Sequence, residues 1–197
     1  MSNEISFGSG KRWRAARKHR LKKITILILV LTAMNTTAGT QVPAQQPKHS
    51  QAKAAFLVNF VKFVEWPAEV FADNSAPIIV GVVGESPSRS AIEQEINGKT
   101  AHGRRLGIKR FPSFRSITYC HILFVSSSQD DNLSQILAAA GPTVLTVGET
   151  EQFAQMGGII TFSVVDSKLR FEINHTAAKQ RGLRISAKLL SLARGVR

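Results

Sequence analysis

The six residues IIVGVV at positions 78–83 decide the fold of this chain more than any other stretch. The run carries no charge and is aliphatic along its whole length, which is typical of a strand whose two faces are both buried. It therefore predicts a central strand with protein packed above and below it. Gly84 follows at once and predicts a turn.

The segment before this strand, QAKAAFLVNFVKFV at residues 51–64, predicts a helix. Phe56, Phe60 and Phe63 recur at helical spacing, and a second apolar stripe lies beside them. The apolar face is broad, so we expect this helix to be deeply packed. Pro67 forces the chain out of the helix just before it.

The segments after the central strand alternate between strand and helix patterns. Strands are predicted at 106–111, 122–125 and 143–147, and a β-hairpin is predicted at 159–164 and 169–174. Helices are predicted after Ser86, after Ser126 and at 150–155, and two closing helices at 174–181 and 186–193. This alternation predicts a single three-layer α/β domain, in which a mixed β-sheet is flanked by helices and ends in a C-terminal β-hairpin and closing helices.

The N-terminal region has the layout of a bacterial signal peptide. Residues 11–23 (KRWRAARKHRLKK) carry eight Lys and Arg residues, and the apolar run ITILILVLTAM follows at 24–34. We expect residues 1–38 to be a signal peptide, with cleavage as late as residue 44. Residues 39–50 are then a flexible lead-in, and 51–197 form the folded domain. The protein is expected in the periplasm.

Two other interpretations of this region stay open. A basic run can bind nucleic acid, but such a patch has no need of an adjoining aliphatic run. An uncleaved membrane anchor is the second alternative, although spanning a bilayer takes about 20 apolar residues and this run is about half that length.

Composition supports a soluble domain after export. The formal charge of the whole chain is +13. Residues 1–38 hold eight basic residues and one acidic residue, so 18 basic and 12 acidic residues remain, a net charge of +6. This charge favours an acidic partner surface or anionic headgroups and does not require nucleic acid.

Cys120 is the one cysteine of the chain, so no intramolecular disulfide can form. It begins an apolar run that reads as a buried strand, where a thiol behaves as a small hydrophobe. The alternative is a redox or intermolecular role for Cys120.

No catalytic, cofactor or metal motif is specific in this sequence. The spacing of Gly81 and Gly84 matches neither the G-x-G-x-x-G motif nor the Walker motif of phosphate-binding loops. The two glycines therefore indicate a tight turn. The four histidines after residue 38 have no partner at short metal-ligand spacing, and His121 reads as structural. Asp130 and Asp131 read as charges at a helix start. We therefore expect no enzyme, no metal and no cofactor, although residues distant in sequence can still converge.

Several segments together resemble the YfiR-like family of periplasmic proteins. They are KAAF at 53–56 with FVEWP at 63–67, VGVVG at 80–84, CHILF at 120–124, LTVGE at 145–149, Phe153 with Gly157 and Gly158, FEIN at 171–174 with Ala177 and Ala178, GLRIS at 182–186, and LLSLA at 189–193. The resemblance spans about residues 52–194.

The resemblance implies a non-enzymatic regulator with an α/β fold. Its best-understood members restrain an inner-membrane diguanylate cyclase by binding the periplasmic domain of that enzyme, and release raises cyclic-di-GMP and biofilm formation. The family also implies dimerisation and disulfides. Cys120 matches a family cysteine, but the partner expected in 78–83 is absent, so disulfide-based sensing is not expected here.

Two sets of residues are candidates for partner binding. Glu65 and Trp66 lie at a helix exit, where a buried structural Trp is an equal alternative. Arg170, Glu172 and Asn174 alternate with apolar residues on the hairpin, where the alternative is a solvated strand face. The rival functions are a periplasmic small-ligand-binding or accessory protein, and a small enzyme.

Overall fold

The fold of residues 45–197 is given by a computed structural model. The expected signal peptide, both expected cleavage positions and the first part of the lead-in lie outside these described residues.

The strands of the described residues are β1 (Val64–Glu65), β2 (Ile78–Val83), β3 (Thr100–Ala101), β4 (Arg104–Phe111), β5 (Ile122–Val125), β6 (Leu145–Gly148), β7 (Ile160–Val165), β8 (Lys168–Ile173), β9 (Arg184–Ile185) and β10 (Gly195–Val196). Eight of them form the main sheet, in the order β10-β8-β7-β6-β5-β2-β4-β3. Strands β1 and β9 form a separate antiparallel ribbon. Pairing in the main sheet is parallel except for the β3–β4 and β7–β8 hairpins, so the sheet is mixed as predicted.

Six α-helices lie in the described part of the chain. They are α1 (Gln45–Phe63), α2 (Arg89–Ile96), α3 (Leu133–Ala139), α4 (Glu151–Gln155), α5 (His175–Gln180) and α6 (Ala187–Leu192). A 3₁₀ helix at Ser127–Asn132 leads into α3, and shorter 3₁₀ turns lie at Ala68–Val70 and Phe114–Ser116.

The central position of β2 confirms the interpretation of IIVGVV. Strand β2 pairs in parallel with β4 on one side and with β5 on the other. Five of its six residues are buried, with Ile79 half-buried. Gly81 is packed so closely that an added Cβ would lie 2.5 Å from the ring of Phe111.

Two hydrophobic cores cover the two faces of the sheet. The larger core joins α1, α2, α5 and α6 to alternate strand residues. In it Phe60 and Phe56 of α1 contact Phe162 and Phe171 of the hairpin, with ring centroids 5.1–6.0 Å apart. The smaller core packs α3 and Phe153 of α4 against the other face. The predicted three-layer arrangement therefore follows from apolar side chains on both sides of the strands.

The structure corrects the start of the first helix. Helix α1 begins at Gln45, so residues 45–50 are helical and not part of a flexible lead-in as expected. Pro47 lies in the first turn of α1, where backbone N–H groups have no helical partner and a proline is tolerated.

Other boundaries differ because the local pattern was short. Helix α2 begins at Arg89 after Ser88, since the hydroxyl and carbonyl of Ser86 accept backbone N–H groups in the preceding turn. Strands β1, β3, β9 and β10, each of two residues, were not predicted. Beyond the predicted last helix at 186–193, Gly195 begins β10 beside β8.

Candidate partner-binding surfaces

The hairpin of β7 and β8 forms as predicted. Its turn residues Asp166 and Ser167 both have positive φ, at 49° and 59°, which is the geometry of a two-residue turn matched to strand twist. In the register, Ser163 pairs with Arg170 and Thr161 pairs with Glu172. Because Phe162 and Phe171 point into the larger core, the residues next to them along each strand point to the opposite face of the hairpin.

The structure brings two of the three hairpin candidates together. Arg170 is exposed and Glu172 is half-buried on the same strand face. Glu172 accepts a hydrogen bond from Arg194, at 3.3 Å. Asn174 lies past the strand end, and its side chain accepts the N–H of Ala177 at 2.9 Å as the cap of α5. Asn174 therefore has a structural task that Arg170 and Glu172 do not have.

Two surface depressions meet at Arg194 on this face. One, of about 350 Å³, is lined by Val165, Asp166, Lys168, Arg170, Leu192, Ala193 and Arg194. The other, of about 390 Å³, is lined by Glu149, Glu151, Ala154, Thr161, Phe162, Ser163, Glu172 and Arg194. Basic residues dominate the first and acidic residues the second. Sequence reasoning missed Arg194 because the two-residue strand that follows it has no detectable periodicity.

An ion pair anchors the acidic depression to the first helix. The ammonium of Lys53 on α1 lies 2.6 Å from the carboxylate of Glu149, and both side chains are mostly buried. The other Glu149 oxygen accepts the backbone N–H of Ser127 at 3.3 Å. Glu149 is thus held in place by charge, whereas Glu151 beside it is exposed.

Glu65 and Trp66 lie apart from the hairpin face, in and just after the β1–β9 ribbon. Glu65 is exposed and lies 3.8 Å from Arg184 across the ribbon. Trp66 is half-buried, and its indole N–H donates to the carbonyl of His121 at 3.3 Å. The Trp66 side chain therefore forms part of the domain interior, which favours a structural role for Trp66 over a role in partner binding.

His121 is the buried centre of an aromatic cluster. It is 2% exposed, and its ring stacks on Phe71 at a centroid distance of 4.7 Å. Its Nδ1 accepts the backbone N–H of Ile79 at 2.9 Å, which requires an unprotonated Nδ1. Its Nε2 lies 2.7 Å from the hydroxyl of Tyr119, which in turn donates to the carbonyl of Val70.

This environment keeps His121 neutral. Burial, and secondarily the charge of Arg104, lowers the pKa of His121 from its usual 6.5 to about 4. With Nδ1 accepting, the remaining proton is on Nε2 and points to Tyr119, whose own proton points to Val70. Every polar atom in this chain has a partner, which supports the structural reading of His121.

Cys120 is buried beside the central strand. It is 2% exposed, and an added Cβ on Gly81 would lie 3.2 Å from its sulfur. Burial raises the pKa of the Cys120 thiol to about 12. The thiolate is the reactive form, so at neutral pH this sulfur is a small apolar group, and the structure lends no support to a redox role.

The turn after β2 does not form a phosphate cradle. Gly84 has a φ of 83°, and an added Cβ would lie 2.5 Å from the side chain of Gln129. The hydroxyl of Ser126 is occupied by the carbonyl of Glu85 and by the backbone N–H of Ser128. Because Gln129 fills the space in front of Gly84, the tight-turn interpretation is supported.

Among residues 45–197, no group of three or more His, Cys, Asp or Glu side chains is arranged to hold a metal ion. Within the same range, no helix combines the length and the apolar character needed to cross a bilayer.

Comparison with known proteins agrees with this fold. The YfiR/HmsC-like family matches residues 50–194, so the chain belongs to that family, as its sequence segments predicted. A conserved domain protein of Vibrio cholerae O1 biovar El Tor has a similar fold, with a TM-score of 0.53 and 12% identity, over 75% of this chain and 60% of that chain.

A second solved structure matches less well. It is an ABC domain from Streptococcus pneumoniae, in complex with L-Trp, with a TM-score of 0.47 and 13% identity, over 61% of this chain and 56% of that chain. The present chain thus spans about three fifths of each of the two structures it matches.

Proposed function

We propose that this chain is exported to the periplasm and there restrains a membrane-bound signalling protein of the diguanylate cyclase type by binding its periplasmic domain. The observation that carries the proposal is membership of the YfiR/HmsC-like family over residues 50–194. The basic and apolar leader at residues 11–34 supports export. On this account the protein lowers cyclic-di-GMP and biofilm formation without catalysing a reaction.

Restraint of a cyclase requires differential binding. A ligand shifts a conformational equilibrium only by the difference between its affinities for the two states, and useful couplings are about 1–3 kcal/mol. The chain must therefore present a rigid surface that fits the inactive cyclase better than the active one. The hairpin face around Arg170, Glu172 and Arg194 suits this task, since it is built on paired strands over a packed aromatic core.

A charge reversal tests this surface. The variant Arg170→Glu changes an exposed side chain on the hairpin face, and Lys179→Glu makes the same change in an exposed position on α5. Like charges facing each other at an interface are strongly unfavourable. We expect R170E to reduce recovery of the cyclase from solubilised membranes by about tenfold or more, and K179E to leave it unchanged.

The outcomes separate the surface from the function. Recovery of the cyclase by both variants would move the contact away from the hairpin while leaving the regulator intact. Recovery of no membrane signalling protein by the unaltered chain would contradict the proposed function itself.

A small-ligand-binding role is the second candidate. The depressions of about 350 and 390 Å³ fall near the lower end of the range for small-molecule sites. Native mass spectrometry of the protein purified from periplasmic extract tests this candidate. A retained small molecule that is lost in the variant Ser163→Leu would favour it, and a mass equal to that of the bare chain would count against it.

A further inference from the structure

The net positive charge of the exported chain comes from one segment. Between Glu95 and Asp130 the sequence holds six Lys and Arg residues and no Asp or Glu. The rest of residues 39–197 carries twelve basic and twelve acidic residues, which cancel. The charge that remains after leader removal is therefore concentrated just before β3, on β4, and in the connection from β4 to β5.

Part of this charge is neutralised by the fold. Arg110 pairs with Glu93 at 2.6 Å, and Lys99 pairs with Glu95 at 3.6 Å. Arg104 packs over the ring of Phe71 at 3.9 Å and donates to two backbone carbonyls. These three residues have structural partners.

Arg105, Lys109 and Arg115 form what we call the basic strip. All three are exposed, and none forms an ion pair with any residue in the described range 45–197. Arg105 and Lys109 lie four residues apart on β4, so they share one strand face, about 13 Å apart. Gly107 between them carries no side chain, and the side chain of Ile79 occupies the space in front of it, 2.9 Å from where an added Cβ would lie.

Amphipathic residues adjoin the basic strip. The ammonium of Lys109 donates to the carbonyl of Tyr119 at 3.4 Å, and the Tyr119 side chain is 53% exposed. The half-buried Phe114 lies beneath the guanidinium of Arg115, 5.4 Å from ring centroid to Cζ. An exposed Tyr ring such as that of Tyr119 beside a basic residue is typical of surfaces that meet the headgroup region of a bilayer.

We propose that the basic strip binds the surface of a bilayer that contains anionic phospholipids. The strip holds three exposed cations and no Asp or Glu lies between Glu95 and Asp130 in the sequence, so its charge is complementary to an extended anionic surface. The inference rests on the proposed function, because an exported regulator of a membrane protein faces the outer leaflet of the inner membrane. Binding there confines the search for the cyclase to two dimensions.

Vesicle binding tests this inference without any cyclase. The exported protein, purified from periplasmic extract, is mixed with vesicles of phosphatidylglycerol and phosphatidylethanolamine, or of phosphatidylcholine alone, at ~0.1 M salt and again at ~0.5 M salt. We expect binding only to the anionic vesicles and only at the lower salt concentration. Each basic residue near such a surface contributes about fivefold in affinity, equivalent to about 1 kcal/mol.

Matched variants locate the contact. Neutralising the basic strip with R105Q, K109Q and R115Q should weaken vesicle binding about a hundredfold. The pair R105K and R115K, which keeps the charge, should bind like the unaltered chain. A control with the same loss of charge replaces three exposed lysines elsewhere, K48Q, K62Q and K179Q, and should bind within about fivefold of the unaltered chain.

Three results would overturn the proposal. The first is that the unaltered chain does not bind anionic vesicles, and the second is that the basic-strip and control variants weaken vesicle binding equally. The third is that the basic-strip variant no longer recovers the cyclase while the unaltered chain does not bind vesicles. The last result would assign the strip to an acidic protein surface. Strip-dependent vesicle binding together with unchanged cyclic-di-GMP on gene deletion would contradict the proposed function and leave the lipid contact standing.

Discussion

Acid should destabilise this domain through one histidine. His121 is buried and neutral, and its folded-state pKa is about 4 against the usual 6.5. Above pH 6.5 both the folded and the unfolded chain hold it neutral. As the pH falls from 6.5 towards 4, the unfolded chain takes up a proton that the folded chain refuses, so stability falls in that window.

The size of this loss follows from the two pKa values. For a group with pKa 6.5 unfolded and about 4 folded, the free energy of unfolding at pH 4 is about 3 kcal/mol lower than at neutral pH. That amount is a large part of the stability of an ordinary domain, about 5–15 kcal/mol. Other groups face the ring: Arg104 opposes its protonation, Tyr119 and the Ile79 N–H fix its tautomer, and Asp73 lies at the exposed rim near Arg104.

Urea unfolding at a series of pH values measures the effect. The fluorescence of Trp66, which donates to the His121 carbonyl, reports the folded state. Trp13, the other tryptophan of the sequence, lies in the expected leader, so the leaderless chain 45–197 carries Trp66 alone. The variant His121→Asn keeps an acceptor for the Ile79 N–H but does not titrate. It should lose about 3 kcal/mol less than the unaltered chain between about pH 7 and about pH 4.

The comparison is between pH dependences, so a lower stability of His121→Asn at neutral pH does not affect it. Equal losses in the two proteins would refute the reasoning, as would a nuclear magnetic resonance titration in which the folded His121 ring protonates near 6.5.

Three further predictions concern single residues. Phe60→Ala should lower the free energy of unfolding by about 3–5 kcal/mol in urea titrations, because Phe60 is fully buried against two hairpin phenylalanines; a loss below about 1 kcal/mol would contradict this packing. The Cys120 thiol should resist a thiol reagent at mildly alkaline pH and react at once in denaturant, and fast labelling of the folded chain would oppose its burial. Asn174→Ala should cost about 1 kcal/mol through loss of the α5 cap, measured by thermal unfolding, whereas Asn174→Asp should be nearly neutral.

The long apolar patterns predicted most of the fold. The run at 78–83 became the central strand, and the phenylalanines of α1 became the larger core. The hairpin was predictable because Leu169, Phe171 and Ile173 alternate cleanly with polar residues over a strand length. These segments are long enough for burial to impose a period on the sequence.

The missed features have no such period. A two-residue strand such as β10 is held by its neighbour and by chain continuity, so nothing in Gly195–Val196 distinguishes it from a helix end. Residues 45–50 show no helical period either, yet they form the start of α1, with Pro47 in the first turn, where a helix accepts proline.

The candidate surfaces were predictable only in part. Arg170 and Glu172 could be placed on one face from the strand period alone. The hydrogen bond between Arg194 and Glu172, and the ion pair of Lys53 with Glu149, join residues that are far apart in the chain. Such contacts depend on the finished topology, and a single sequence does not encode them locally.

On our proposal, this chain acts outside the cytoplasm to hold a membrane cyclase inactive. The decisive measurement is the cellular cyclic-di-GMP level in a strain from which the gene is deleted. The strain carries either no copy of the gene, or a copy that encodes the full-length chain, or one that encodes residues 45–197 without the leader. We predict that deletion raises cyclic-di-GMP, that the full-length chain restores it, and that the leaderless chain does not. Unchanged cyclic-di-GMP on deletion, or full restoration by the leaderless chain in the cytoplasm, would contradict the account.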